Sequence, residues 1–316
     1  MQQKIDFIIP VLLSKAPNLA PLIHSICNQN TKFIATATIT LVVNPANEQD
    51  VAQLSEQIKE YALGENQFRV HVIGCKETGV NSARQLGLEQ TSGSLVFFFD
   101  DDVILTDTNL IDIHMSYHLE NPELFAVGGY YAAAQKPSLF GQIYLNRQIQ
   151  WLNESYTDVT KTKSNYLIGG HFSIKRSLLE TYNLGFDPQI KFGSSETDFF
   201  LMARRKGLDL LLIKNSVNHA VKDSPMSLLI KAYRQGAGKR YIENKGLVFS
   251  PLFRSISQPK NRIETLIHSL FQISFSWGYF SFDRNYAGFF NFYMNQIFLH
   301  LKYQKQKWIN YLRNDF

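Results

Sequence analysis

The sequence predicts an α/β protein: an open, mostly parallel sheet flanked by helices, followed by a C-terminal helical extension. Three observations predict it. Short apolar runs alternate with segments of helical spacing through the first hundred residues. One of those runs, Leu95-Val96-Phe97-Phe98-Phe99, is apolar throughout and ends on Asp100, Asp101 and Asp102. The last third of the chain is basic and aromatic and lacks the strand pattern.

Phe7-Ile8-Ile9-Pro10 reads as a short strand closed by proline, and Leu19, Leu22, Ile23 and Ile26 then recur at helical spacing. Thr38 to Asn44 is a second strand, rich in β-branched residues, stopping at Asn44-Pro45. Val51, Leu54, Ile58 and Tyr61 mark a second helix. Phe68 to Gly74 forms a third strand, Ser82 to Gln90 a third helix, and Leu95 to Phe99, after the turn-forming Ser92-Gly93-Ser94, a fourth and fully buried strand. Strand-helix units of this length imply right-handed crossovers and a sheet covered on both faces. Ligands of such sheets bind beyond the carboxyl ends of the strands, where Pro10, Asn44 and the Asp cluster all fall. No internal repeat or low-complexity segment interrupts the pattern.

Three ionised side chains beside a buried strand repel one another, and a divalent metal, alone or carrying a diphosphate, reverses the sign of that interaction. Oxygen ligands suit Mg²⁺ or Mn²⁺. A solvated acidic turn leading into a helix cap is the alternative, and the cluster alone does not separate the two.

Further motifs carry a resemblance. Ile8-Ile9-Pro10-Val11, Ser25-Ile26-Cys27-Asn28-Gln29, Gly79-Val80-Asn81-Ser82-Ala83-Arg84-Gln85-Leu86-Gly87-Leu88, Gly169-Gly170-His171-Phe172-Ser173-Ile174-Lys175-Arg176, Gly185-Phe186-Asp187 and Ser195-Glu196-Thr197-Asp198-Phe199 with Arg204 occur in that order. Over roughly Asp6 to Gly236 the chain resembles the family 2 glycosyltransferases, whose fold is the nucleotide-diphosphosugar transferase fold called GT-A. The resemblance implies a metal-dependent inverting transfer of one sugar from a nucleoside-diphosphate sugar to an acceptor hydroxyl, in surface polysaccharide or glycolipid synthesis. The acceptor would be a saccharide or a lipid-linked acceptor. It also implies a metal acting as Lewis acid on the departing phosphate.

By that resemblance Asp100 and Asp102 form the D-x-D pair reaching ribose and metal, with Asp101 of lower weight at the nucleotide. Pro10, Val11, Asn44 and Arg84 belong to the nucleotide site. Asn44 replaces an aspartate common in the family, so the nucleobase is open; an amide can also serve there. Glu196 is the candidate general base. The family usually has an acid where this chain has Ser195, which keeps Asp198 as a second candidate. Both acids would also suit the first turn of a helix for its dipole alone. His219, following the apolar strand Leu210 to Ile213, is a candidate third metal ligand, with a purely structural histidine equally open. His171 and Gly170 are weaker candidates for the sugar or acceptor pocket. Ser224-Pro225 has the form of a helix start.

Composition agrees with a globular enzyme: 316 residues, 45% hydrophobic and 19% charged. Cys27 and Cys75 provide neither a disulfide framework nor zinc spacing, which fits a reducing, cytoplasmic setting. Met1-Gln2-Gln3-Lys4 leads at once into a strand, so no signal peptide is expected. Charge divides the chain. Residues 231–316 hold 13 Lys/Arg against 4 Asp/Glu, a net of +9, and residues 1–230 therefore carry −4 of the overall +5. This places a catalytic domain at 1–230 and a basic helical extension at 231–316. Lys231, Arg234, Lys239 and Arg240 would line the diphosphate side of the crevice or face an anionic membrane surface. Thr265 to Phe282 lacks Lys, Arg, Asp and Glu, and Tyr286 to Leu301 is aromatic-rich, but neither is apolar enough for a membrane span. With Lys302, Lys305 and Lys307 they fit peripheral attachment at the inner face of a membrane, or equally a helical cap or a dimer interface.

Arg234 to Tyr241 lacks the Q-x-x-R-W spacing of the family's processive synthases, so addition of single sugars is expected. No nucleic-acid partner is expected. A nucleotidyltransferase would need a glycine-rich phosphate loop after the first strand, which Pro10-Val11-Leu12-Leu13-Ser14 does not supply. A non-catalytic sugar-binding or scaffold protein with a degenerate form of the fold is the remaining alternative.

Overall fold

A computed structural model describes residues 3–30, 32–59, 68–133, 136–157, 160, 162–219, 224–247 and 261–294. Tyr61, residues 295–301 of the aromatic-rich stretch, and Lys302, Lys305 and Lys307 lie outside the described residues.

The expected alternation is present. Strand β1 (Gln3–Val11) leads through a short 3-10 turn to α1 (Leu19–Cys27), then β2 (Ile34–Val43), α2 (Glu48–Lys59), β3 (Phe68–Gly74), α3 (Val80–Glu89) and β4 (Leu95–Phe99). Next come β5 (Val103–Ile104), α4 (Leu110–Glu120), β6 (Leu124–Ala133), α5 (Leu139–Asn153), β7 (His171–Lys175), α6 (Arg176–Thr181), α7 (Ser195–Arg205) and β8 (Asp209–His219). Helices α8 (Pro225–Asn244) and α9 (Arg262–Phe282) follow, and a further helix begins at 286 and runs to 294. The sheet order is β3-β2-β1-β4-β7-β6-β8-β5. The first four strands in that order are parallel, as is the β6–β8 pair, whereas β7 runs antiparallel to both β4 and β6, and β5 to β8.

The period-2 alternation of side chains builds a core on each face of this sheet. Ile5, Phe7, Ile9, Phe97 and Phe99 point to the face covered by α1, α2 and α4, where Leu22, Ile26, Leu54 and Ile111 meet them. Ile8, Val96 and Phe98 point to the opposite face, against Ala83 of α3, Phe172 of β7 and Phe199 of α7. All five residues of β4 are buried, so the strand is central and its acidic end is carried at a fixed place.

Three features differ from expectation. β8 continues beyond Ile213 to His219, pairing with β6 through a register shift between Gly128 and Tyr130. Ser224 occupies the cap position of α8 with extended backbone but makes no side-chain cap bond; Pro225 in the first turn supplies the start. The boundary expected at 230/231 falls inside α8, because the charge change begins nearly two turns after the helix does.

Helices α8 and α9 cross at very short range. A Cβ on Gly236 would overlap the Phe275 carbonyl, and one on Gly278 the Tyr233 carbonyl. Ile143 and Tyr144 of α5 join Leu228, Ala232, Ile267 and Phe271 in a separate apolar cluster that binds α5, α8 and α9 together. No helix among the described residues is long and apolar enough to cross a membrane.

Candidate active site

At the end of β4 the backbone turns and the three aspartates part company. Asp100 accepts from Arg84 Nη2 at 3.1 Å and from the Tyr131 hydroxyl at 2.9 Å. Asp101 is buried and accepts from the Leu12 backbone N–H at 3.2 Å, which ties the β1 exit to the β4 exit. Asp102 faces His219 Nε2 at 3.3 Å. One ligand atom each from Asp100, Asp102 and His219 lies within 4.8 Å of the others. Antiparallel pairing of Val103 with His219 sets that convergence, since it places the end of β8 beside the residue following Asp102. Two carboxylates and one imidazole make a donor set suited to Mn²⁺ or Mg²⁺. His219 Nδ1 is buried without a hydrogen-bond partner, so the side chain's resolved polar function is on its Nε2 side.

Burial, reinforced by Asp100, pushes the Tyr131 phenol well above its ordinary range, keeping it a donor to that carboxylate. Gly170 gives this arrangement its room: a Cβ there would overlap both Tyr131 Oη and Asp100 Oδ2. Gly170 thus belongs to the floor of the site. His171, one residue on, points into the core; it is fully buried, with its Nε2 3.2 Å from His114 Nε2, and it does not enter a sugar or acceptor pocket.

Arg84 joins the acidic end of β4 to α7. Its guanidinium is buried and donates to Asp100, to the Gly169 carbonyl at 2.7 Å and to Ser195 Oγ at 3.4 Å, and it stands 3.9 Å from Glu196 Oε2. Arg84 therefore ties Asp100 and Glu196 to one another and to the Gly169 backbone, and so positions two carboxylates. Glu196 also accepts from the Ser195 hydroxyl at 2.9 Å and keeps 22% of its side chain exposed toward the crevice.

Asp198 goes the other way. Two residues along a helix is a rotation of about 200°, so Glu196 and Asp198 cannot share a face. Asp198 is buried and held by Lys245 Nζ at 2.7 and 2.8 Å, with burial pushing its carboxyl up against the pull of that ammonium. It does not line the crevice, and the acid open to a substrate is Glu196.

Pro10, Val11 and Asn44 line the far end. Asn44 is buried; its Oδ1 accepts from Gly79 N–H at 2.8 Å and its Nδ2 donates to the Glu77 carbonyl, fastening the β2 exit to the loop before α3. Its amide therefore shapes this end through the backbone it holds.

The whole crevice has a volume of about 740 Å³. Of its remaining wall the sequence points to the α8 cations but sets them on the diphosphate side, whereas Lys231 stands over the Tyr144 ring of α5; the α5 and α9 residues are not foreseen. Tyr144, Arg147, Gln148 and Trp151 line it from one face of α5, Lys231, Arg234 and Lys239 from α8, and Phe271 and Phe275 from α9. The i, i+3, i+4, i+7 spacing on α5 was present in the sequence but is occupied by polar and aromatic residues, which gives no apolar stripe. Arg240, grouped with the other α8 cations in the sequence, turns away to pair with Asp283 and Tyr279.

A central strand ending in a metal-suited acidic group, beside a partly exposed glutamate at a helix start, is the arrangement of a group-transfer site on a GT-A sheet. The family profile described as Glycosyl transferase family 2 matches residues 6–182, and the chain belongs to that family; it is a glycosyltransferase. No curated protein matches the chain. Among solved structures it is similar in fold to the mannosyltransferase PcManGT from Pyrobaculum calidifontis in complex with GDP-Man and Mn²⁺, at 14% identity and a TM-score of 0.55, covering 91% of this chain and 75% of that one. S. aureus TarS 1-349 in complex with UDP-GlcNAc matches at 13% identity and a TM-score of 0.51, over 88% and 73%. Glucosyl-3-phosphoglycerate synthase from Mycobacterium tuberculosis, in complex with Mn²⁺, UDP and phosphoglyceric acid, matches at 16% identity and 0.52, over 78% and 80%.

Proposed function

We propose that the protein transfers one sugar, with inversion, from a nucleoside-diphosphate sugar to an acceptor hydroxyl, in a reaction that depends on Mn²⁺ or Mg²⁺. The observation that carries this reading is the joining of Asp100 and Glu196 through Arg84 across one crevice. Asp100, Asp102 and His219 would hold the cation, which when bound supplies charge neutralisation for the departing diphosphate. Glu196 takes the proton from the acceptor hydroxyl as that oxygen attacks the anomeric carbon from the face opposite the leaving group. Arg84 fixes the carboxylate's direction and Gly170 leaves space above Asp100. Pro10, Val11 and the loop fastened by Asn44 frame the nucleotide end.

The names of the similar structures support a nucleotide-sugar donor and Mn²⁺. Residues 1–230 hold the donor site, and α5 joins α8 and α9 in forming the acceptor wall. Synthesis of a surface polysaccharide or glycolipid is the process we favour. Ile263, Leu266, Ile273 and Trp277 form an exposed apolar stripe on α9, which supports contact of that end with a membrane surface or a partner chain.

The test is a Glu196→Gln variant assayed for transfer and for nucleoside-diphosphate binding. Transfer should fall by at least two orders of magnitude with binding retained; full transfer activity would refute the base.

A further inference from the structure

The crevice is electrically two-ended. Asp100, Asp101 and Asp102 occupy one end, and Glu196 stands between them and the α5–α8 wall. Its charge acts both on Tyr131, which bonds Asp100, and on Tyr144 of α5. On the Tyr144 side the lining turns cationic. Lys231 Nζ lies 5.9 Å from the centre of the Tyr144 ring, Arg147 follows three residues after Tyr144 on the same helical face, and Arg234 follows three residues after Lys231. Arg147 is half-buried: its Nη1 meets His268 Nδ1 at 3.4 Å, and its guanidinium carbon lies 5.7 Å from the Phe271 ring centre. No carboxylate of a described residue pairs with Arg147, Lys231 or Arg234. Glu154, the acid at the end of α5, is seven residues from Arg147, about 10 Å along the helix.

A guanidinium partly withdrawn from water without an anion is costly, and burial pushes Arg147 down to about 10. By contrast Arg204 pairs with Asp209 and Arg240 with Asp283. Arg147 is held in place by aromatic packing and a neutral imidazole, an arrangement that presents charge without satisfying it. Three cations in one concavity match a group bearing close to two negative charges better than a single carboxylate.

Building on the transfer reaction above, the geometry points to an acceptor that carries a phosphate group, seated between Arg147, Lys231 and Arg234 on the side of Glu196 away from the metal ligands. The Phe271 and Phe275 rings beside that seat offer an apolar surface for whatever bears the phosphate, a sugar ring or a lipid chain. The seat would hold the acceptor by its phosphate while the hydroxyl to be glycosylated reaches Glu196.

The experiment is isothermal titration calorimetry on the full chain with Mn²⁺ and saturating nucleoside diphosphate, so that the donor end is filled. Glucose 6-phosphate and geranyl phosphate are titrated against their uncharged counterparts, glucose and geraniol. At least one phosphate probe should bind ten-fold or more tightly than its neutral partner. An Arg147→Gln/Lys231→Gln variant should lose that preference by about ten- to hundred-fold while binding nucleoside diphosphate like the wild type. Preference for the sugar phosphate assigns a soluble acceptor, and preference for the geranyl phosphate a lipid-linked one. Because Lys231 is exposed, Lys231→Gln alone, with a smaller loss expected, serves if the double variant does not fold. Equal binding of charged and neutral probes would overturn the proposal, as would unchanged phosphate binding in the variants or loss of nucleoside diphosphate binding in their place. If the wild type itself fails to bind nucleoside diphosphate, the donor reading fails alone, and the phosphate titrations are read without it.

Discussion

Arg84 is the residue on which the site's geometry turns. It is 3% exposed in its side chain, and removing it leaves the Gly169 carbonyl and part of Asp100 without their donor. Arg84→Met should therefore cost roughly 2–4 kcal/mol in denaturant unfolding and should also depress transfer, because both carboxylates lose their common tether. Glu196 and Asp198 make a sharper pair. Asp198→Asn breaks a buried bond to Lys245, so it should lower the unfolding midpoint and leave transfer by the folded enzyme close to wild type. Glu196→Gln should do the reverse. At this scale the sequence was partly legible. Motif order pointed to Glu196, but the partner that removes Asp198 from the crevice lies 47 residues away, just past the end of α8, and cannot be read from local spacing. His171 was misjudged for a similar reason: its neighbour His114 comes from α4 on the face of the sheet opposite α3 and α7.

Among the elements, β1 to β4 were readable because a buried parallel strand is apolar from end to end and its helices carry plain 3.6-residue stripes. Helix α5 was not, since Tyr144, Arg147, Gln148 and Trp151 face a crevice, and α4 was hidden because His114 and His118 take positions that a packed helix usually gives to aliphatic residues. Between Leu228 and Ile242, helix α8 buries Ala232, Gly236, Ala237, Gly238 and Lys239, so its middle packs by backbone approach. That dependence is testable. Gly278→Ala places a methyl against the Tyr233 carbonyl and should destabilise the protein by about 1–3 kcal/mol, measured by thermal or denaturant unfolding. With α8 and α9 walling the acceptor end, as proposed above, the same change should raise the acceptor KM more than the donor KM.

Across the whole molecule, one sheet separates two cores and brings the ends of β1, β2, β4 and β8 to a single crevice, with the late helices closing its far side. On the face packed by α4, His114 and His118 both meet Ser173 Oγ and His171 meets His114 inside the core; burial is the first cause that lowers each of them, His118 to about 3 and His171 to about 4. In the unfolded chain these groups take up protons near pH 6.5, whereas in the folded chain they remain neutral until far lower pH. Their contribution is therefore fully present above about pH 7 and is lost as pH falls through the unfolded value toward about 4, at up to about 1.4 kcal/mol per pH unit for each histidine. Unfolding free energy measured from pH 7.5 to 5 should decline accordingly, and a His118→Gln variant should show a shallower decline. The measurement that bears most directly on the account is calorimetric titration of GDP or UDP with and without Mn²⁺, for the wild type and for Asp102→Ala. The account predicts tight binding of one of the two nucleotides only with the cation, and loss of that enhancement in the variant; cation-independent binding of equal strength in both proteins would contradict it.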